Sequence, residues 1–193
     1  MPQKERLPPG QRWITGFPVR TVEQMPEPFD PKTWTLVIDG EVEKPITLSY
    51  AQLQALPVTT QISSAHCVEG WSIPDIKWEG VLFKEVVNLV QPKPTATFVL
   101  FSAEHEYTSG INLDIAMEDD VMLAWNRNDE PLPVEDGYPL RLIVPRLYYW
   151  KSVKWVRRIS FLKEVVLGYW EKRGYHQGAD PWLNQRYASD RRR

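Results

Sequence analysis

Cysteine and long apolar runs are almost absent from this chain. Cys67 is the only cysteine in 193 residues, which excludes an intramolecular disulfide. No stretch of about 18 consecutive apolar residues occurs, so we expect no membrane-spanning helix. Residues 1–6 lead into no apolar segment, and we therefore expect no secretory signal. A single thiol that stays reduced suits the cytoplasmic location that we predict.

A surplus of one charge sign is lacking as well. Lys and Arg number 23 and Asp and Glu number 25, for a formal net charge of −2. Proteins that bind nucleic acids generally need a basic surplus to neutralise phosphates, so we predict no nucleic-acid partner. Basic side chains are nevertheless concentrated between Arg141 and Arg158, and such a patch is suited to one compact anion.

The three histidines do not form a zinc motif with Cys67. His66, His105 and His176 lack the paired spacing that structural zinc sites show. Three roles therefore remain open for the Cys67 sulfur: a buried apolar atom, a catalytic nucleophile, or the ligand of a single soft metal. As a nucleophile it would make the chain a cytosolic Cys-dependent hydrolase, although no local signature supports that alternative.

Proline and tryptophan are abundant, with 17 and nine residues respectively. Prolines shorten helices and strands, whereas nine tryptophans indicate an aromatic core or walls for a flat ligand. We predict one compact, loop-rich α+β domain over residues 1–193. It begins with an irregular arm over residues 1–32 and ends with a basic tail over residues 188–193.

Periodicity and turn residues predict the individual elements. A capping box of Ser49 and Gln52 starts a short helix that stops before Pro57, and apolar spacing predicts a helix over 83–90. A short helical turn or a loop is expected at 113–117, and a loop at 73–75. Strands are predicted over 34–38, 45–48, 58–65, 96–101, 121–125, 140–144 and 153–162.

A second cluster of candidate functional residues follows the strand that ends at Pro145. In the run Ser152-Val153-Lys154, backbone N–H groups and a Lys ammonium are suited to one phosphate. The guanidinium of Arg141 is suited to the same anion. The alternative is a pair of strands whose basic side chains extend into solvent. On spacing alone this alternative is favoured.

Three motifs together resemble the sulfite oxidase-type molybdopterin domain. They are Cys67-Val68-Glu69-Gly70-Trp71-Ser72, the run Gly-Tyr-Pro-Leu-Arg-Leu-Ile-Val-Pro over 137–145, and Lys-Ser-Val-Lys-Trp over 151–155. The arm from Phe17 to Trp34 and the run Tyr107-Thr108-Ser109 are also similar to that domain. The order and spacing agree from about residue 7 to residue 187, and small soluble sulfite-oxidase-like bacterial proteins are the most similar group.

The resemblance implies a molybdenum cofactor with one molybdopterin. Cys67 would be the single protein thiolate on molybdenum, while Arg20 and Tyr107 would lie near the metal. Cys67, Tyr107, Arg20 and Glu69 are thus the candidate catalytic residues. The candidate cofactor-binding residues are Phe17, Arg20, Thr21, His66, Cys67, Ser102, Asp136, Arg141, Ser152, Val153 and Lys154.

One departure from sulfite oxidase bears on the substrate. Sulfite oxidase has an Arg shortly after its ligand Cys, where this chain has Val68, Glu69 and Gly70. An acidic Glu69 would repel sulfite. The stretch resembles instead the catalytic subunit of the periplasmic methionine-sulfoxide reductase. We therefore predict reduction of an S-oxide or N-oxide by two-electron oxygen-atom transfer, with electrons from an external protein partner. Oxidation of a sulfite-like substrate and a non-catalytic cofactor-binding or interaction protein remain alternatives.

Overall fold

Two β-sheets dominate the part of the chain that the computed structural model describes, residues 6–189. The strands are β1 (Arg12–Trp13), β2 (Thr35–Gly40), β3 (Ile46–Ser49), β4 (Val58–His66), β5 (Trp71–Leu82), β6 (Phe98–Ser102), β7 (Thr108–Asn112), β8 (Met122–Arg127), β9 (Glu130–Pro131), β10 (Arg141–Ile143) and β11 (Arg158–Leu162). The α-helices are α1 (Tyr50–Gln54), α2 (Phe83–Val90) and α3 (Leu113–Ala116). Short 3₁₀ turns occupy Val134–Asp136, Tyr149–Lys151 and Glu171–Arg173.

Both sheets are mixed, because each contains parallel and antiparallel strand pairs. The first sheet runs β1-β5-β8-β10, with β4 paired to β5 and β9 paired to β8. The second sheet runs β3-β2-β11-β6-β7. Strands β1 and β5 are parallel, as are β2 and β11, whereas the other pairs are antiparallel. The predicted α+β class, with short strands and few helices, is confirmed.

The first sheet buries apolar side chains on both faces. Along β8, Leu123 and Trp125 belong to the main core, which the second sheet and the helices share. Met122 and Ala124 alternate with them and belong to a second apolar cluster on the opposite face. Since side chains alternate along a strand, this second face needs its own cover. Part of that cover comes from the N-terminal arm, whose Ile14 and Phe17 pack against it.

Both predicted helices form where the sequence places them. The Ser49 side chain accepts from the Gln52 N–H, and the Gln52 side chain accepts in turn from the Ser49 N–H, so the capping box is confirmed. Helix α2 spans Phe83–Val90 as expected and buries Phe83, Val86, Val87 and Val90. These four positions lie on one face because 3.6 residues make one turn.

Two element predictions are wrong, and strands β1, β5, β7 and β9 are new. The expected loop at 73–75 lies inside β5, where Asp75 adopts a φ of 50° and the pairing with β4 shifts register between Ser63 and Ala65. The strand expected from residue 153 begins only at Arg158, and Trp155, with a φ of 52°, lies in the irregular segment before it. Strand β7 was not predicted, since its Gly and polar residues obscure the apolar alternation.

The ends of the chain are described in part. The arm is irregular, as predicted, apart from the two residues of β1, and residues 1–5 lie outside the described range. Of the predicted basic tail only Ala188 and Ser189 are described, and both are exposed; residues 190–193 lie outside. Between residues 6 and 189 the helices are all too short or too polar to cross a membrane.

Candidate active site

A cavity of about 330 Å³ brings most of the predicted site residues together. Nine of the thirteen candidates line it: Arg20, Thr21, Cys67, Glu69, Tyr107, Asp136, Arg141, Ser152 and Lys154. They come from the arm, from the turn between β4 and β5, and from the segments around β7, β10 and the 3₁₀ turn at Tyr149–Lys151. Residues far apart in the chain therefore share one wall.

Cys67 lies at the start of the tight turn that joins β4 to β5. Its N–H donates to the Trp71 carbonyl at 2.8 Å, and the Gly70 N–H donates to the Cys67 carbonyl at 3.0 Å. Gly70 has a φ of 91°, a left-handed conformation that favours glycine. The Gln11 side-chain amide, from the arm, donates to the same Cys67 carbonyl at 3.0 Å. The thiol is thus held at the cavity by a fixed backbone.

The environment of Cys67 does not suit a free nucleophile. Burial raises the pKa of its thiol to about 11, more than the backbone hydrogen bond at Glu69 lowers it. Nucleophilic cysteines need the opposite shift, so the hydrolase alternative loses support. Within residues 6–189 no three His, Cys, Asp or Glu side chains cluster to hold a metal. A metal on Cys67 would therefore take its other ligands from a non-protein group.

Glu69 forms an ion pair with Arg20 across the cavity wall. The Arg20 Nε donates to both carboxylate oxygens, at 3.0 and 3.1 Å. The Trp71 indole N–H donates to the same carboxylate at 3.0 Å. These bonds from Arg20 and then Trp71 lower the pKa of Glu69, and the bond to Glu69 raises the pKa of Arg20. The two charges therefore neutralise each other beside Cys67.

Arg141 is buried in another part of the wall. Its Nη1 donates to the Asp136 carbonyl at 2.6 Å, and its guanidinium lies 4.1 Å from the centre of the Tyr149 ring. Burial lowers its pKa, although an Arg side chain remains charged in proteins. The nearby Ser152 hydroxyl accepts from the Val144 N–H at 3.1 Å. A buried guanidinium beside a hydroxyl is suited to an oxyanion.

Lys154 adds a second positive charge to this end of the cavity. Its Nζ donates to the carbonyls of Arg20 and Glu135 at 2.8 and 2.5 Å. Burial, and then the charge of Arg141, lower its pKa to about 8. Two cations in one partly buried site repel each other, so the site favours an anion that compensates them.

Asp136 is held by a residue that sequence reasoning missed. The Arg127 Nη1 donates to the buried Asp136 carboxylate at 2.7 Å. The same guanidinium stacks on the Phe17 ring, 3.8 Å from its centre. Phe17 does not line the cavity, and it reaches the site only through this stack. No motif in the sequence connects Arg127 to the resembled family.

Tyr107 is fixed by its hydroxyl and by its backbone. The hydroxyl donates to the Trp150 carbonyl at 2.5 Å, and its N–H donates to the Glu23 carboxylate of the arm. Burial raises the pKa of the phenol well above its usual value. Tyr107 therefore stays protonated at neutral pH, and its one hydroxyl proton is engaged with the Trp150 carbonyl.

Three further candidates lie away from the cavity lining. His66 is buried, and its Nδ1 is 2.8 Å from the Ser72 hydroxyl. Ser102 ends β6 and pairs with Thr108. The Val153 side chain packs in the main core, whereas its neighbours Ser152 and Lys154 line the cavity. Cofactor contacts by these residues and by Phe17 remain predictions.

Aromatic residues that no motif identified complete the cavity. Trp150, Trp155, Trp170, Tyr149 and Tyr175 line it together with the predicted Trp71. The signal available in the sequence was the high tryptophan content, which does not say which rings face a ligand. Three buried donors of lining residues have no hydrogen-bond partner among residues 6–189: Arg141 Nε, Trp150 Nε1 and the Tyr149 hydroxyl. Buried polar groups are normally bonded, so these donors indicate a ligand with acceptor atoms.

Comparisons with known proteins identify the family of this chain. The family model described as "Oxidoreductase molybdopterin binding domain" matches residues 22–170. The chain is 40% identical over 188 residues to the "Uncharacterized oxidoreductase YuiH" of Bacillus subtilis (strain 168), covering 97% of this chain and 95% of that protein. It is 30% identical over 169 residues to the "Protein-methionine-sulfoxide reductase catalytic subunit MsrP" of Campylobacter jejuni, covering 79% of this chain and 57% of that protein.

A second reductase subunit and a solved structure extend the comparison. The MsrP subunit of Gluconobacter oxydans (strain 621H) is 32% identical over 179 residues, covering 81% of this chain and 57% of that protein. The sulfane dehydrogenase SoxCD from Paracoccus pantotrophus superposes with a TM-score of 0.66 at 26% identity, covering 72% of this chain and 40% of that chain. This chain thus spans little more than half of either reductase subunit. Since the family model covers most of the chain, the predicted sulfite oxidase-type domain is confirmed, and the chain belongs to the molybdopterin-binding oxidoreductase family.

Proposed function

We propose that the chain reduces an S-oxide or N-oxide by two-electron oxygen-atom transfer at a molybdenum site, with Cys67 as the protein ligand. One observation carries this proposal. A single cavity has the Cys67 thiol in one part of its wall and the buried Arg141 guanidinium, with its unpartnered Nε, in another. A metal-binding pterin with one phosphate needs both kinds of residue.

The lining residues fit molybdopterin. Arg141, Ser152 and Lys154 would hold its phosphate, because they combine two cations and a hydroxyl at one end of the cavity. The unpartnered donors of Tyr149 and Trp150 would bond to its polar atoms. When bound, the cofactor supplies the metal that takes the oxygen atom and exchanges two electrons.

The chain's own side chains prepare the oxide for reduction. Conversion of an S-oxide into a sulfide and water consumes two protons and two electrons. The Tyr107 hydroxyl is protonated and donates to the Trp150 carbonyl; to orient the oxide oxygen or pass it a proton, it would exchange that carbonyl for the oxide. The tryptophans of the wall exclude water and so strengthen such polar contacts. His66 lies one residue from the ligand, and a proton-transfer role for it remains a prediction.

The reductive direction has two sources of support. Two relatives carry the name of protein-methionine-sulfoxide reductase subunits. In addition, Glu69 and Arg20 compensate each other beside Cys67, which gives sulfite no unopposed cation at that place. Oxidation of a sulfite-like substrate is therefore the less favoured alternative. An external electron-transfer partner and a cytoplasmic location remain predictions.

The first experiment is to measure the molybdenum and pterin content of protein purified from a molybdate-fed host. We expect about one of each per chain. Loaded protein should then oxidise a reduced dye when an S-oxide or N-oxide is added. Neither metal nor pterin, in a host that loads related enzymes, would overturn the proposal. Loading without dye oxidation by any oxide would favour the non-catalytic cofactor-binding protein.

Replacing the ligand tests the role of Cys67 separately. Cys67→Ser should abolish turnover while pterin still binds, because the phosphate contacts lie at Arg141, Ser152 and Lys154. The pterin content of the same preparation is the control for folding and loading. Full activity in Cys67→Ser would show that the sulfur is not the ligand.

A further inference from the structure

We propose that Glu69 sets the charge class of the substrate by neutralising Arg20, so that the site accepts neutral oxides and rejects oxyanions. This inference rests on the proposed function and narrows it, since it states which oxides the cavity admits. It makes Glu69 a specificity-determining residue rather than a proton donor.

The contacts place the pair beside Cys67 in the cavity wall. Arg20 and Glu69 both line the cavity that contains Cys67, and Glu69 follows Cys67 by two residues. The Arg20 Nε contacts both carboxylate oxygens, and the Trp71 indole N–H donates to the same carboxylate. Arg20 is also fixed at its backbone, because Lys154 donates to its carbonyl at 2.8 Å.

The Arg20–Glu69 ion pair contributes little to the stability of the fold. The side chains of Arg20 and Glu69 are 60% and 47% exposed, and such solvent-exposed ion pairs add little to folding. The effect of the pair on a ligand is larger, because the carboxylate cancels the positive charge of Arg20 that an incoming anion would meet beside Cys67. A neutral oxide carries no net charge, so its binding is not weakened when Glu69 neutralises Arg20. The arrangement therefore discriminates by charge rather than by shape.

Glu69→Gln is the variant that isolates this effect. The amide oxygen can still accept from Trp71 and Arg20, so the wall keeps its shape while Arg20 becomes unopposed. For a charge about 6 Å from the ligand at an effective dielectric of about 40, one unit changes anion affinity by about tenfold. We expect sulfate, measured by calorimetric titration, to bind about tenfold more tightly to Glu69→Gln than to the unsubstituted protein.

Two matched variants control the measurement. Glu118 forms a comparable ion pair with Arg146, whose side chains are 31% and 51% exposed, and neither residue lines the cavity. Glu118→Gln should leave sulfate affinity unchanged. The double variant Arg20→Met/Glu69→Gln should lose the gain, because Arg20 is then absent. The difference between the single and double Glu69 variants gives the Arg20-dependent affinity, whether or not the cofactor occupies its phosphate site.

Turnover provides an independent readout on loaded protein. The ratio of kcat/KM for a carboxylate-bearing sulfoxide to that for an uncharged sulfoxide should rise about tenfold in Glu69→Gln. No gain in sulfate affinity, or a gain that persists in the double variant, would overturn the inference. The proposed function fails on a different result, the absence of molybdenum, pterin or oxide-dependent turnover in the unsubstituted protein.

Discussion

Replacing Lys151 with methionine is expected to destabilise the protein by about 3–5 kcal/mol. The Lys151 side chain is 0% exposed and that of its partner Glu171 is 2% exposed. The Lys151 ammonium donates to the Glu171 carboxylate and, at 2.7 Å, to the Gly110 carbonyl. Methionine fills a similar volume but leaves a buried carboxylate without its cation, which is the costly case for an ion pair.

Urea unfolding of three variants tests this expectation. Lys84→Met is the matched control, since Lys84 pairs with Asp119 at 3.0 Å and the Asp119 side chain is 94% exposed. The free energy of unfolding of Lys84→Met should fall by no more than about 1 kcal/mol. Lys151→Met/Glu171→Leu should recover most of the stability, because apolar replacement of both partners of a buried pair is often neutral.

The result also bears on the cavity. Glu171 follows Trp170, which lines the site, and the ion pair ties this segment to Gly110 in β7. Loss of the pair should therefore weaken the aromatic wall as well as the fold. If Lys151→Met lost no more free energy of unfolding than Lys84→Met, the reasoning would be refuted, since water would then reach the Lys151–Glu171 pair.

Two further predictions concern the phosphate end of the cavity. Inorganic phosphate should bind the cofactor-free protein less tightly as pH rises through about 8. The reason is that burial lowers the pKa of Lys154 to about 8, so that its ammonium loses its proton there. Lys154→Arg should remove this pH dependence of phosphate affinity, measured by titration at pH 7 and 9. Arg141→Lys keeps the charge but not the planar fork, and we expect the pterin content of purified protein to fall several-fold; unchanged content would show that the guanidinium does not hold the cofactor.

The sequence predicts local elements better than the long-range contacts of the site. The capping box at Ser49 and helix α2 depend on residues within one or two turns, and both form as expected. The loop expected at 73–75 lies in a strand because pairing with β4 continues at Ile73 and Ile76, on either side of Pro74 and Asp75, which lie at a register shift. Tertiary pairing of this kind leaves no local pattern to detect.

The motif Lys151-Ser152-Val153-Lys154 shows why spacing alone could not assign the site. Its two lysines have different surroundings, since Lys151 is buried against Glu171 while Lys154 lines the cavity. Val153 between them packs in the core. The residue types are the same in either arrangement, and only the path of the chain after the 3₁₀ turn decides which ammonium meets the ligand. Arg127 and the aromatic residues that line the cavity were not predicted, for the same reason.

The N-terminal arm links the core to the chemistry of the site. The first sheet is apolar on both faces, and the arm residues Ile14 and Phe17 pack on the second face. A few residues later the same segment brings Arg20 to Glu69 and Glu23 to the Tyr107 N–H. Because the packing of Phe17 restricts where Arg20 can reach, the charge of the substrate site depends on how the arm packs against the first sheet. An irregular segment can make all of these contacts in sequence, whereas a regular helix or strand would direct its side chains with a fixed period.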